Sequence, residues 1–188
     1  MRTFRPGTPA DIPAICRIYD KILDREEAGG VTTGWRRGIY PTEQTAADAL
    51  RAGELFVQEL DGCVTAAARI NRCQVPEYAQ AAWQQAQAPA DQVMVLHTLV
   101  VDPDCRGQGC GTAFMAFYED YALRHGCPYL RIDTNERNAP ARRLYARLGF
   151  REAGVVSCTF NGLSHIRLVC LEKTLLSEAA VRAETPAD

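Results

Sequence analysis

The spacing of apolar positions along the chain changes several times, and each change marks an element. Ile12, Ile15, Cys16, Tyr19, Ile22 and Leu23 recur with the 3.6-residue period of a helix that buries one face. Thr8-Pro9-Ala10-Asp11 ahead of them has a capping threonine, a proline at the first position and an acid three residues after the cap. Residues 2–5 form a short first strand. Gly29-Gly30, Gly34, Gly38 and Pro41 make 24–41 a long loop, and Thr42 caps a second helix that ends at Gly53. Residues 54–60 and 63–70 read as strands joined by the two-residue turn Asp61-Gly62.

Residues 71–92 break the rhythm. Ala and Gln dominate there, with Tyr78 and Trp83 as the aromatics, and the segment reads as an insertion with some helix. The β-branched run 93–101 is the central strand. Residues 109–125 form a helix with Phe114, Phe117, Tyr118 and Tyr121 inward, and 129–134 are the next strand. A helix capped by Asn138 and stopped by Gly149 follows. Two final strands, 150–160 and 163–172, are joined by Asn161-Gly162. The order β-α-α-β-β-β-α-β-α-β-β predicts one domain over residues 1–176, with 177–188 as a frayed tail.

Composition narrows the class. A hydrophobic share of 47% against 23% charged fits a globular protein with a real core. The formal net charge of −2 gives no field that favours nucleic acid. No apolar run is long enough to span a bilayer, and residues 1–6 lack the apolar segment of a signal peptide, so a cytoplasmic location is expected. The eight cysteines contain no Cys-x-x-Cys pair and are expected to be free, mostly buried thiols, with no metal site.

The chemistry concentrates after the central strand, where Asp102-Pro103 ends the apolar run. Arg106, Gly107, Gln108, Gly109, Cys110, Gly111 and Thr112 then lead into a helix. Glycines let the backbone take φ > 0 and let a ligand approach closely. The first N–H groups of a helix have no internal partners and lie at its positive end. A strand, a glycine loop and a helix N-terminus together suit a pyrophosphate.

The spacing Arg106-x-x-Gly109-x-Gly111 resembles the acetyl-CoA-binding motif of the GNAT superfamily of N-acetyltransferases. Asn138-x-x-Ala141-x-x-x-Tyr145-x-x-x-Gly149-Phe150 resembles the second hallmark of that superfamily. The resemblance extends over most of residues 3–175 and is weakest over 24–40 and 71–92. It implies a mixed α/β fold with one central sheet, splayed between the fourth and fifth strands and flanked by helices. It also implies acetyl-CoA as co-substrate, bound through the main chains of Leu99, Val100 and Val101, through residues 106–112, and near Asn138, Ala141 and Tyr145. By the same resemblance Tyr145 protonates the departing thiolate, and a main-chain N–H of the central strand polarises the thioester carbonyl.

The attacking amine needs a proton acceptor. His97 is the candidate, because strand alternation puts it on the face of Val95, Leu99 and Val101. Its alternative is a structural hydrogen bond. Glu54, Glu59 and Asp133 are weaker choices. Trp35, Tyr40, Tyr78 and Trp83, with Asp133, are expected to line the acceptor pocket, although isolated aromatics more often anchor loops. The expected acceptor is a small-molecule amine, handled by a monomer or homodimer without nucleic acid or membrane. Two other readings remain open. Gly107-x-Gly109 with Asp133 mimics a dinucleotide fingerprint, but the third glycine position is Thr112 and only one strand–helix unit follows. The other is a non-catalytic acetyl-CoA-binding regulatory module.

Overall fold

A computed structural model describes residues 1–30 and 32–175. The expected frayed tail lies outside the described residues. The elements are β1 (Arg2–Pro6), α1 (Ile12–Glu27), α2 (Glu43–Arg51), β2 (Leu55–Leu60), β3 (Cys63–Asn71), β4 (Val93–Val101), α3 (Cys110–Arg124), β5 (Tyr129–Asn135), α4 (Ala139–Arg147), β6 (Arg151–Phe160) and β7 (Leu163–Thr174). Their order is the one the apolar pattern predicts. Asp61 and Asn161 both take positive φ in the two hairpin turns, as their Asp-Gly and Asn-Gly dipeptides require.

One seven-stranded sheet runs in the order β1-β2-β3-β4-β5-β7-β6. Only β4 and β5 are parallel. A dinucleotide-binding sheet needs several parallel strands in succession, so that reading is corrected here.

The two faces of the sheet are covered by different elements. Phe114, Met115 and Tyr118 of α3 and Tyr145 of α4 pack on Ala66, Ala68, Met94, Leu96, Leu130 and Ile132. On the opposite face Ile15, Ile18 and Tyr19 of α1, with Ala46 and Ala49 of α2, pack on Val57, Ala67 and Val100. Full burial of side chains such as Phe114 and Ile18 stabilises the fold by about 2–3 kcal/mol each. The 71–92 insertion covers the rest of that second face. It holds two short 3-10 turns, Pro76–Gln80 and Ala90–Gln92, rather than an α-helix. Tyr78 anchors it against Val93, Val95, Val156, Leu168 and Cys170.

The helix start at Thr8 has a refinement. Thr8 caps a 3-10 turn, Pro9–Asp11, which runs directly into α1. Asp11 accepts the Thr8 N–H at 2.7 Å and both ends of the Arg5 guanidinium at 2.8 Å. The eight cysteines are free, but they are not mostly buried as expected. Cys110, Cys127 and Cys170 are buried, Cys63 and Cys73 are exposed, and the other three are intermediate. Among the described residues no helix is long and apolar enough to cross a membrane.

Candidate active site

The site is built by a failure of strand pairing. β4 and β5 pair at Val93↔Tyr129, Met94↔Leu130, Val95↔Arg131 and Leu96↔Ile132, and there the parallel ladder stops. β4 continues to Val101 along β3, and β5 continues to Asn135 along β7. From His97 and Asp133 onward the facing edges of these two central strands therefore carry no ladder to each other. Such edges are templates for an added extended chain. Below the opening, the Tyr118 hydroxyl lies 2.6 Å from the Met94 carbonyl and 3.2 Å from that of Arg131, bridging the two strands where they still pair.

A bulge sharpens the splay. Ala67 pairs Val100 and Arg69 pairs His97, so Thr98 and Leu99 stand against the single residue Ala68. Thr98 takes φ 53°, a conformation costly for a β-branched residue. The Tyr40 hydroxyl meets the Thr98 hydroxyl and holds it there.

The bulge also overturns one expectation. Alternation is correct up to His97, with Val93 and Val95 on the Tyr78 face and Met94 and Leu96 on the α3 face. Past the bulge Leu99 and Val101 pack toward α3, and Val100 packs toward α1. His97 therefore does not share a face with Leu99 and Val101. Its Nε2 lies 3.0 Å from Asn71 Oδ1 and 3.1 Å from the Cys73 carbonyl. Asn71 is oriented by donating to Glu54 and by accepting the Cys73 N–H, so both groups facing His97 are acceptors and Nε2 carries the proton. Burial, with the nearby Arg69 charge, pushes His97 down to about 4. The imidazole is neutral, with Nε2 donating into the wall, and the shared face with Leu99 and Val101 no longer supports the base role.

A cavity of about 520 Å³ passes through the sheet at the splay. Its lining brings together Trp35, Tyr40, His97, Leu99, Asp133, Asn138, Ala141 and Tyr145 from the expected set. Val100 and Val101 stay out of it; Val100 is core, and their backbones follow the free edge of β4. Tyr78 stands behind the wall and donates its hydroxyl to Asp133 at 2.8 Å. Trp83 is not at the cavity: its Nε1 donates to the Tyr78 carbonyl at 2.7 Å, and its ring stacks under the Arg131 guanidinium at 4.2 Å. These two aromatics are corrected to anchors of the insertion, the common fate of isolated aromatics in a loop. Glu54 and Glu59 are likewise occupied, by Arg69 and Arg5. Sequence reasoning missed Thr98 and Phe160, which join the lining, and no local signal marks a bulge inside an apolar run.

Burial acts on the ionisable groups of the cavity. It pushes the Tyr145 phenol well above its ordinary range, and the Asp133 charge adds to this, so the proton stays on at neutral pH. Burial pushes Asp133 up to about 6, against the opposing hydrogen bond from Tyr78. The segment that leads into Trp35 is fixed by Glu26. Its carboxylate accepts the N–H groups of Thr32 and Thr33 at 2.8 Å and of Gly34 at 3.1 Å, and the Thr32 hydroxyl at 2.8 Å. Trp35 follows directly and meets Tyr40 edge to face, with ring centroids 5.7 Å apart.

The glycine loop lies at the far end of β4. Asp102 caps the 3-10 turn Pro103–Cys105 and is held by Lys21 at 2.8 Å, while Arg2 donates to the Gln108 carbonyl at 2.7 Å. Gly109 takes φ 71° as the residue before α3, and no atom lies within 4 Å of where its Cβ would stand. A Cβ on Gly111 would sit 3.2 Å from Leu144, so α3 packs close on α4 there. Arg106, Gly107, Gln108, Gly109 and Thr112 are exposed, Gly111 is partly so, and Cys110 is buried. The N–H groups of the first turn of α3 have no intrahelical acceptors. An exposed loop, a helix N-terminus and an unpaired strand edge fit the pyrophosphate and the extended arm of acetyl-CoA. Asn138 Oδ1 caps α4 by accepting the Ala141 N–H at 3.2 Å.

Comparison with known proteins agrees with this geometry. Residues 19–150 match the model of the acetyltransferase (GNAT) family. Streptothricin acetyltransferase of Streptomyces lavendulae is 32% identical over 72 residues, 38% of each chain. The chain spans between 29% and 40% of the length of the curated relatives it matches. A GNAT-family acetyltransferase structure from Streptococcus agalactiae superposes with a TM-score of 0.77 at 19% identity, covering 94% of this chain and 96% of that one. The yncA structure from Salmonella typhimurium, a putative acetyltransferase with its cofactor acetyl-CoA, gives 0.67 at 19% identity, covering 95% and 96%. With a mixed sheet splayed after Leu96 and a family match over most of its length, this chain belongs to the GNAT acetyltransferase family.

Proposed function

We propose that the chain transfers the acetyl group of acetyl-CoA to a primary amine of a small molecule, with both substrates bound together. The observation that carries this reading is the cavity through the sheet at the splay, which opens from α4 on one face to Trp35 and Tyr40 on the other. The GNAT relatives, one of them a streptothricin acetyltransferase, support the activity and a small acceptor. The cavity volume of about 520 Å³ supports the same size of acceptor.

When bound, acetyl-CoA supplies an activated thioester. Residues 106–112 hold the pyrophosphate with their N–H groups, and the β4 edge at Leu99, Val100 and Val101 orients the extended arm. A main-chain N–H beside the bulge donates to the carbonyl oxygen as charge builds on it. Tyr145, protonated at neutral pH, faces the cavity from α4 and protonates the departing sulfur. Asn138 orients the start of α4 and with it Tyr145.

The test is release of the coenzyme A thiol from acetyl-CoA across a panel of primary amines, with mass spectrometry of the acetylated product. Thiol release that depends on the amine supports the reading. Acetyl-CoA binding without amine-dependent release from any member identifies a non-catalytic acetyl-CoA module instead.

A further inference from the structure

The charged side chains that line the cavity are Asp48, Arg69 and Asp133. Two of them are paired. Arg69 donates to Glu54 at 2.6 Å, and Asp48 accepts from Arg51 at 2.8 Å. Asp133 has no cationic partner among the described residues, and its hydrogen-bond donor is the Tyr78 hydroxyl. A carboxylate removed from bulk water without a cation is costly unless something supplies one.

Its position is specific. Asp133 is the first residue of β5 beyond the last β4–β5 pair, Leu96↔Ile132. Leu130 and Ile132 face α3, so alternation turns Asp133 to the opposite face, toward Tyr78 and the acceptor loop. Tyr145 reaches the same cavity from the α4 face. One ionisable group thus stands on each side of the opening in the sheet.

We propose that Asp133, positioned by Tyr78, seats the acceptor's ammonium group and takes its proton before attack, for primary amines whose carbon skeleton is apolar or aromatic. This rests on the acetyl-transfer reading above. The ammonium N–H bond breaks and an O–H bond forms on Asp133. The neutral nitrogen bonds to the thioester carbon, and the C–S bond breaks with its electron pair on sulfur. Tyr145 gives its proton to sulfur and recovers one from the newly bonded nitrogen. Asp133 releases its proton through the cavity mouth, so one proton is produced per turnover. Tyr19, Trp35, Tyr40 and Phe160 are aromatic groups of a mixed lining, which also holds Asn71 and Gln74, and they suit an apolar skeleton.

The surroundings of Asp133 agree with a base that works near neutrality. Tyr78 donates to it, and Glu77 on the Pro76–Gln80 turn, Tyr40 before α2, Tyr145 on α4, Cys158 on β6 and Cys170 on β7 lie near enough for charge to couple with it. His97, neutral above about pH 4, stands on the facing strand. Burial raises the Asp133 carboxyl to about 6, so it is mostly ionised at pH 7 and still able to hold a proton.

The test uses the full chain, 2-phenylethylamine as probe and two variants. In the wild type, a carbon-13 titration of the Asp133 carboxyl has its midpoint near pH 6, and the probe moves that midpoint down. Asp133→Asn keeps acetyl-CoA affinity by calorimetry within twofold. It loses probe binding, lowers kcat/KM on the order of 10²-fold and abolishes the acid limb near pH 6. Tyr78→Phe keeps the ring and removes the donor that favours the charged carboxylate, so midpoint and acid limb both move to higher pH. A merely structural Tyr78 leaves both unmoved. Comparing variants with one amine cancels the amine's own ionisation. The proposal is overturned if Asp133→Asn retains probe binding and the acid limb. It is also overturned if the probe leaves the Asp133 resonance untouched while other amines are acetylated. Loss of acetyl-CoA binding by the wild type marks failure of the acetyl-transfer reading itself.

Discussion

Glu26, at the end of α1, accepts the backbone N–H of Gly34, one residue before Trp35 enters the cavity wall. With the bonds from Thr32 and Thr33, this ties the Thr32–Gly34 segment to the end of α1. Burial pushes the Glu26 carboxyl up, but the N–H groups of Thr33, Thr32 and Gly34 outweigh it and hold it below the ordinary carboxylate range. Glu26→Gln replaces one acceptor oxygen by a donor facing N–H groups. It should cost about 1–3 kcal/mol, and hydrogen exchange at the Thr32–Gly34 amides should accelerate. The acceptor KM should rise while acetyl-CoA affinity stays put. Unchanged exchange at those amides contradicts the anchoring role.

Tyr145→Phe tests the acid role proposed for Tyr145. Phenylalanine keeps the ring packed on Phe150, at 6.0 Å between centroids, and deletes only the hydroxyl. Stability should hardly change. Turnover should fall on the order of 10²-fold while acetyl-CoA affinity is kept. Wild-type turnover in this variant, measured with a responsive amine, makes Tyr145 a packing residue.

Asp11 provides a stability prediction remote from the cavity. Its carboxyl is buried, and the Arg5 guanidinium holds it down to about 2, with Thr8 assisting. Arg5 is one-third exposed, so water screens part of the attraction. Asp11→Ala should destabilise by about 2 kcal/mol, measured by urea unfolding. The folded carboxyl titrates below its unfolded value of about 3.9. Its contribution is therefore complete above pH 4 and disappears as pH falls toward 2. A mutant–wild-type difference that stays constant across that window contradicts the assignment.

The elements and their order were legible because each rests on local rules: apolar period, turn dipeptides and caps. The glycine loop before α3 was legible as a loop for the same reason, since its glycines and the helix after it are contiguous. The facing of His97 was not. One residue out of register at Thr98 reverses every side chain beyond it, and the cause lies in the pairing with β3 and in Tyr40, 58 residues away. The fates of Tyr78 and Trp83 were equally hidden. Their partners, Asp133 and Arg131, sit on a strand about 50 residues downstream, and nothing in the Ala/Gln-rich insertion indicates which aromatic faces inward. Asp133 was visible as an acid at a strand end, but that it has no cationic partner among the described residues is a property of the fold.

The central claim is that the splay between β4 and β5 and the glycine loop at the start of α3 receive acetyl-CoA. Calorimetric titration of acetyl-CoA into the wild type and into Gly109→Val tests it most directly. Gly109 has φ 71° and open space at its Cβ position, so valine strains the turn and fills the approach to the first N–H groups of α3. The account predicts saturable binding, one acetyl-CoA per chain, in the wild type and affinity at least tenfold weaker in the folded variant. No binding to the wild type, or equal affinity in both proteins, contradicts it.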